Sequence, residues 1–228
     1  MLVGGEVYGF GFEPVDTDKF GGILLTLILG VTGISFSLPI GIALALGRQS
    51  KLPVLRIMCV LFIEFIRGAP LITLLFVAST MLAYFLPPGT NFDLLLRVLI
   101  MVTLFASAYM AEVIRGGLQA ISRGQHEAGD SLGLTYWQAN RLIVLPQALK
   151  ISIPGIINTF IGNYKDTTLV LIIGMMDILG LGNASLADAK WAGLANEIYL
   201  FVALYFFVTC FSMSRYSLYL EKKLHTGH

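Results

Sequence analysis

The stretch FGGILLTLILGVTGISFSLPIGIALALG, Phe20 to Gly47, runs for 28 residues without one charged side chain. A helix crosses the hydrocarbon of a bilayer in about 20 residues, so this run is long enough to span with tilt. Pro39 inside it is compatible with a membrane helix whose neighbours satisfy the freed carbonyl. The rest of the chain agrees with this segment. Of 228 residues, 56% are hydrophobic and 13% charged, and the mean hydropathy is +0.80. A soluble domain carries roughly 25% charged residues, and a chain of this size cannot hide the deficit in a core. The expectation is an all-α integral membrane protein. A formal charge of +1 excludes a basic nucleic-acid binder, so no nucleic acid partner is expected. Cys59 and Cys210 both lie in apolar runs, which excludes a disulfide framework. His126, His225 and His228 lack ligand spacing, so no metal is expected.

Four further apolar regions follow. Val54 to Leu86 is too long for one plain span and contains Arg56, Glu64 and Arg67. It reads as a helix over Val54–Ile66, an adjustment at Arg67-Gly68-Ala69-Pro70, and a clean apolar part from Leu71 to Leu86, because Pro70 disfavours helical geometry at Ala69. After a Pro87-Pro88-Gly89 turn a third span covers Leu94 to Ile114. A fourth runs from Ile151 to Met176, a loop from Asp177 to Trp191, and a fifth span from about Leu194 to Leu218. That makes about five transmembrane helices in a domain over 20–224, with an external segment 1–19 and a tail 225–228. The first 19 residues lack a basic n-region and do not read as a cleaved signal peptide. Ten of the fifteen basic residues fall after span one, between spans three and four, and in the tail. The positive-inside rule therefore places the N-terminus outside and the C-terminus in the cytoplasm.

The segment from about 116 to 150 is too polar to lie wholly in lipid. Ser122-x-x-Gln125 and Thr135-x-x-Gln138 both fit the capping box, and Gly133 between them suits a left-handed helix stop. The pattern predicts a short helix from Arg123 to Leu132, a sharp turn, and a second helix from Tyr136. By themselves two good caps also fit an ordinary cytoplasmic loop. The wording of the segment is more specific. Glu127-Ala128-Gly129, Gly133, Ile143 and Leu145-Pro146 keep the spacing of the EAA motif, and the segment resembles the coupling helix of ABC-importer permeases. Gly129 stands where that family often has Ala. Glu64-Phe65-Ile66-Arg67-Gly68-Ala69-Pro70, Tyr109 to Gly117, Leu145-Pro146-Gln147-Ala148 and Lys165-Asp166-Thr167-Thr168-Leu169 are similar, in order, to the polar-amino-acid permeases within it. The similarity covers about Phe20 to Leu224.

The resemblance implies an ABC type I importer-like fold and a transport subunit, not an enzyme, in a bacterial inner membrane. Its implied partners are a second permease, homologous or identical, two cytoplasmic ATPase subunits and a periplasmic solute-binding protein. The cargo would be an amino acid, and membrane lipid would surround the spans. ATP and Mg would sit on the ATPase, since this chain has no phosphate-cradling P-loop and is expected to bind no cofactor. Gln125, Glu127, Ala128, Gly129, Leu132, Gly133 and Leu134 would couple to the ATPase, with Leu132, Leu134 and Trp137 supplying apolar anchor area. Glu127 is also placed to be a helix-dipole partner.

Lys165-Asp166 breaks an apolar region near its middle. A discontinuous helix at membrane depth is tolerated only where it is buried or lines a cavity. Asp166 or Thr167 is then expected to cap a second half-helix whose positive end faces an anionic group such as an α-carboxylate. Lys165, Asp166, Thr167 and Thr168 are candidates for the translocation path; a structural cap with an intersubunit bond is the competing reading. Arg67, three residues from Glu64, is either a path residue or half of an interfacial ion pair. Glu112 and Arg115 repeat that spacing and read as structural. The rival to a coupled importer is a self-contained secondary carrier or channel with Lys165-Asp166 as its ion site, which would be expected to show inverted repeats. None is evident between the two halves.

Overall fold

The computed structural model describes residues 16–81, 84 and 92–224. The described elements are helical. Helix α1 is Gly22–Arg48. Helix α2, Pro53–Gly68, meets α3, Leu71–Phe76, at a bend of 102°, and α3 continues as a π turn over Val77–Met81. Helix α4 is Leu94–Ala120, α5 Arg123–Ser131 and α6 Tyr136–Ala139. A π turn over Asn140–Val144 joins α6 to α7, Leu145–Asp166, which tightens to 3-10 geometry over Thr167–Ile173. Helix α8, Ile178–Ser185, precedes the long α9, Ala195–Leu224. Among the described residues, four helices are long and apolar enough to cross a membrane, and the bent pair α2–α3 makes up to five.

Within a bilayer, helices associate through close packing, and small residues let their backbones approach. Helix α1 presents such a face: a Cβ on Gly30 would lie 2.5 Å from the Tyr164 ring, on Gly33 2.6 Å from Asn163, and on Gly41 2.6 Å from Met110. Contacts of Gly33 with Val102 and of Gly41 with Met110 show that α1 and α4 run parallel, while α7 packs antiparallel to both. Leu25, Leu29, Leu75, Val98 and Val102 fill one end of the bundle; Ala45, Ile63, Met110 and Ile114 fill the other. Ile66, Leu74 and Ala108 pack between. Helix α9 leans on α7 through the Tyr164–Tyr205 hydroxyl pair at 2.6 Å and otherwise turns an apolar face outward.

The structure moves several sequence expectations. The adjustment at Arg67–Pro70 is a sharp bend: Ala69 is extended at φ −106°, ψ 140°, as the steric demand of Pro70 requires. The third span does not stop at Ile114 but continues to Ala120, because Gly117 and Leu118 still pack inside the bundle. The fifth extends to Leu224. The loop expected over 177–191 contains α8, whose cap Asp177 accepts the Gly180 N–H at 2.8 Å. That helix is stitched to the start of α1, where Gly22 donates to the Met176 carbonyl at 2.7 Å and Thr26 Oγ1 accepts the Ile178 N–H at 3.3 Å. Residues 1–15, the Pro87-Pro88-Gly89 turn and the tail 225–228 lie outside the described residues.

Candidate functional site

Three places carry the sequence candidates. The first is a knob built by α5 and α6. Helix α5 ends in a Schellman motif: Leu134 N–H donates to Gly129 O at 3.1 Å, Gly133 N–H to Asp130 O at 3.0 Å, and Gly133 takes φ 70°. The Thr135 box then starts α6, with Gln138 N–H reaching Thr135 Oγ1 at 3.4 Å and Thr135 N–H donating to Gln138 Oε1 at 2.9 Å. The Ser122 box does not form: the Ser122 side chain makes no cap bond, and Gln125 instead accepts from Gln147 Nε2 at 2.9 Å, tying α5 to α7. Gly129 is buried, and a Cβ there would meet Ala139 at 3.2 Å. Pro146 cannot donate to the carbonyl of Leu142, and the helix is widened to a π turn just before it. The knob leaves Leu132 74% and Trp137 70% exposed, beside exposed Glu127 and Ala128; Leu134 is half-buried. Exposed large apolar side chains on a compact, polar projection are what a docking surface offers.

The second place is a cavity of about 340 Å³ between α4 and α7. Phe105, Ala106 and Tyr109 form the α4 wall; Asn158, Thr159, Gly162, Asn163 and Asp166 form the α7 wall. Asn158, Gly162 and Asp166 follow one another at i, i+4 along one helix face. The cavity therefore combines a carboxylate, two primary amides and a phenol within otherwise apolar surroundings, the mixture found in small-molecule sites. Asn163 is 5% exposed, and neither amide atom has a hydrogen-bond partner among the described residues.

A separate, capped half-helix after Lys165-Asp166 does not form: α7 passes directly into the 3-10 segment Thr167–Ile173. Helix α7 runs unbroken through Asp166, and Asp166 makes no cap bond. Glycines 30 and 33 of α1 make room for Tyr164 and Asn163, so the polar run is accommodated without a break. Thr167 is fully buried with its hydroxyl donating to Tyr164 O at 2.8 Å, and Thr168 donates to Lys165 O at 2.9 Å. Lys165 is exposed. Of the four candidates, Asp166 alone is among the cavity-lining residues. Asn158 and Asn163 escaped sequence reasoning, although the i, i+4 spacing of Asn158 to Gly162 and of Thr159 to Asn163 is visible once the segment is treated as one helix.

Below the cavity lies an ion cluster. Glu112 accepts from Arg48 at 2.6 Å and from Arg115 at 2.9 Å, and stands 3.5 Å from Arg67. Glu64 pairs with Arg48 at 3.0 Å and lies 4.0 Å from Arg67. The two i, i+3 pairs expected from the sequence are thus one cluster across α1, α2 and α4, with Arg48 as the member that spacing could not reveal.

Residues 37–226 match the family described as "Binding-protein-dependent transport system inner membrane component". The chain is 64% identical over 215 residues to the glutamate/glutamine/aspartate/asparagine transport system permease protein BztC of Rhodobacter capsulatus, covering 94% of this chain and 50% of that one. It is 52% identical over 229 residues to the inner membrane amino-acid ABC transporter permease protein YhdY of Escherichia coli, covering 100% of this chain and 62% of that one. It thus spans about half to three-fifths of the length of these two relatives. The probable glutamine ABC transporter permease protein GlnM of Bacillus subtilis is 34% identical over 91% of this chain and 93% of its own. Among solved structures, an amino acid ABC transporter crystallised with histidines superposes at TM-score 0.77 with 29% identity, over 89% of this chain and 92% of that one.

Proposed function

The chain belongs to the family of inner membrane components of binding-protein-dependent transport systems, and on that premise we propose that it is the permease subunit of an ATP-driven amino acid importer. The cavity between α4 and α7 is the observation that carries the proposal, because it sets the Asp166 carboxylate and two amides in the middle of an apolar bundle. A carboxylate at membrane depth is costly and marks a path for polar cargo; here it faces the ammonium group of an amino acid while the amides meet its other polar atoms. Lys165, exposed beside Asp166, supplies a cation towards a second permease, homologous or identical, and Thr167 and Thr168 hold the local backbone. Arg67, which is not among the cavity-lining residues, joins the path through its contact with the Tyr109 ring. The substrates named for the relative from Rhodobacter capsulatus make acidic and amide amino acids the first cargo to try.

In this reading the N-terminus is outside and the knob is cytoplasmic, as the lysine and arginine bias supports. The knob formed by Gln125, Glu127, Ala128, Gly129, Leu132, Gly133 and Leu134 then docks on one of two ATPase subunits that hold ATP and Mg; buried Gly129 sets its close packing, and the exposed Leu132 and Trp137 anchor the contact. A binding protein delivers cargo at the opposite end. Family membership lends the self-contained carrier no support.

The test is ATP-driven uptake of labelled glutamate, glutamine, aspartate and asparagine by vesicles containing the complete transporter. Asp166→Asn is expected to lower uptake at least about tenfold at unchanged membrane abundance, which corresponds to about 1.4 kcal/mol in the activation free energy of uptake. Lys165→Met is expected to impair it as well. Full uptake by both variants would remove the path from this cavity.

A further inference from the structure

The α4 wall of the cavity is held from behind. The Arg67 guanidinium lies over the Tyr109 ring at 5.6 Å, and Phe105 packs against the same ring with centroids 4.9 Å apart. Three residues along α4, on the same helix face, Glu112 stands 3.5 Å from Arg67. Arg67 thus connects a cavity residue to a carboxylate outside the cavity. It sits on the last turn of α2, immediately before the 102° bend into α3.

The two carboxylates of the cluster differ in burial, and burial decides which of them holds it. Glu112 is 16% exposed and meets guanidinium groups from α1, α2 and α4; Glu64 is 54% exposed. A shielded carboxylate with three counter-charges is expensive to neutralise, because its partners would be left uncompensated. A solvent-screened one contributes little. With three arginines and two glutamates the cluster retains one net positive charge, so the guanidinium nearest the aromatic face keeps a reason to stay there. A planar guanidinium can stack flat on a ring while its N–H fork pairs with a carboxylate, a geometry that the point charge of an ammonium does not reproduce.

We propose that Arg67 is a positioning residue that ties the bend of the second span to the Tyr109 wall of the cavity, with Glu112 as its fixed counter-charge and Glu64 as a dispensable one. The proposal rests on the reading of the cavity as the substrate's path. A change in the bend at Ala69–Pro70 moves the guanidinium relative to Tyr109, and the cavity changes shape with it.

A double-mutant cycle tests this in vesicles holding the complete transporter, at matched membrane abundance. Arg67→Lys and Tyr109→Leu are each expected to reduce ATP-driven uptake by about threefold to thirtyfold. The double variant is expected to be no worse than the worse single one, and Tyr109→Phe to recover uptake relative to Tyr109→Leu. Losses that multiply would overturn the coupling, because independent sites add in free energy. Glu112→Gln is expected to cost far more uptake than Glu64→Gln; equal losses would overturn the assignment of Glu112 as anchor. Should Glu112→Gln fail to accumulate, the Arg67–Tyr109 cycle still decides. Failure of the underlying reading looks different: Asp166→Asn would then transport normally, whereas an Asp166 requirement with multiplying Arg67 and Tyr109 losses removes the coupling alone.

Discussion

The knob, residues 122–144, and the segment from Asn163 to Thr168 are both polar interruptions of an apolar chain, and local rules succeed on one and fail on the other. At the knob, Gly133 and the Thr135 box do what their spacing says, since every bond that defines them lies within five residues. At Lys165-Asp166 the same kind of reasoning predicts a helix break, and the chain instead passes without one from α-helix into 3-10 geometry at Thr167. The decisive contacts there come from Gly30 and Gly33, more than a hundred positions earlier in the chain. A polar run in a membrane span signals a break only when no neighbouring helix can accommodate it.

Substitutions can separate the two kinds of control. The largest effect is expected where backbone meets backbone across helices. A Cβ at Gly117 would lie 2.0 Å from Ser152 Oγ and 2.5 Å from the Ala148 carbonyl oxygen. Gly117→Ala should therefore destabilise the purified protein by about 1–3 kcal/mol or more, read as a lower midpoint of thermal unfolding in detergent. An unchanged midpoint would show that α4 and α7 are less closely joined than described. At the knob, Gly133→Val forces a β-branched residue to φ 70° with open space around it, a penalty of about 1–2 kcal/mol. Because that strain is local, uptake should fall while the thermal midpoint of the bundle hardly moves.

Smaller effects sharpen the comparison within the knob itself. Thr135→Ala removes a formed cap and should cost about 1 kcal/mol, whereas Ser122→Ala removes a hydroxyl with no cap bond and should stay within about 0.5 kcal/mol. Hydrogen exchange at the first amides of α5 and α6 distinguishes them; equal losses would restore the Ser122 cap. The smallest effect is a slope. Burial pushes the Asp177 carboxyl above its ordinary range, opposed by the Gly180 and Leu179 amides. Its contribution is fully present below the unfolded-state value and is lost as the pH rises through the folded-state value. Asp177→Asn should keep an acceptor for Gly180 and flatten this part of the stability-versus-pH curve; parallel curves for both proteins would contradict it.

How much was legible follows from the range of the forces involved. Hydrophobic runs that exceed the bilayer thickness announce spans whatever surrounds them, because each residue contributes its transfer free energy separately. A proline imposes its steric demand on its own neighbour, so the bend at Ala69 was visible in advance; the 102° angle was not. The Glu64/Arg67 and Glu112/Arg115 spacings were visible as two pairs, and only packing made them one cluster by adding Arg48 from α1. The cavity required both walls: Asn158 and Asp166 share a helix face, but nothing in their spacing places Tyr109 opposite them. Span positions, caps and turn geometry arise from interactions within a few residues, and the order of amino acids specifies them directly. The cavity, the charge cluster and the continuity of α7 depend on which helix lies beside which, and that is decided by close packing of small residues distant in the chain.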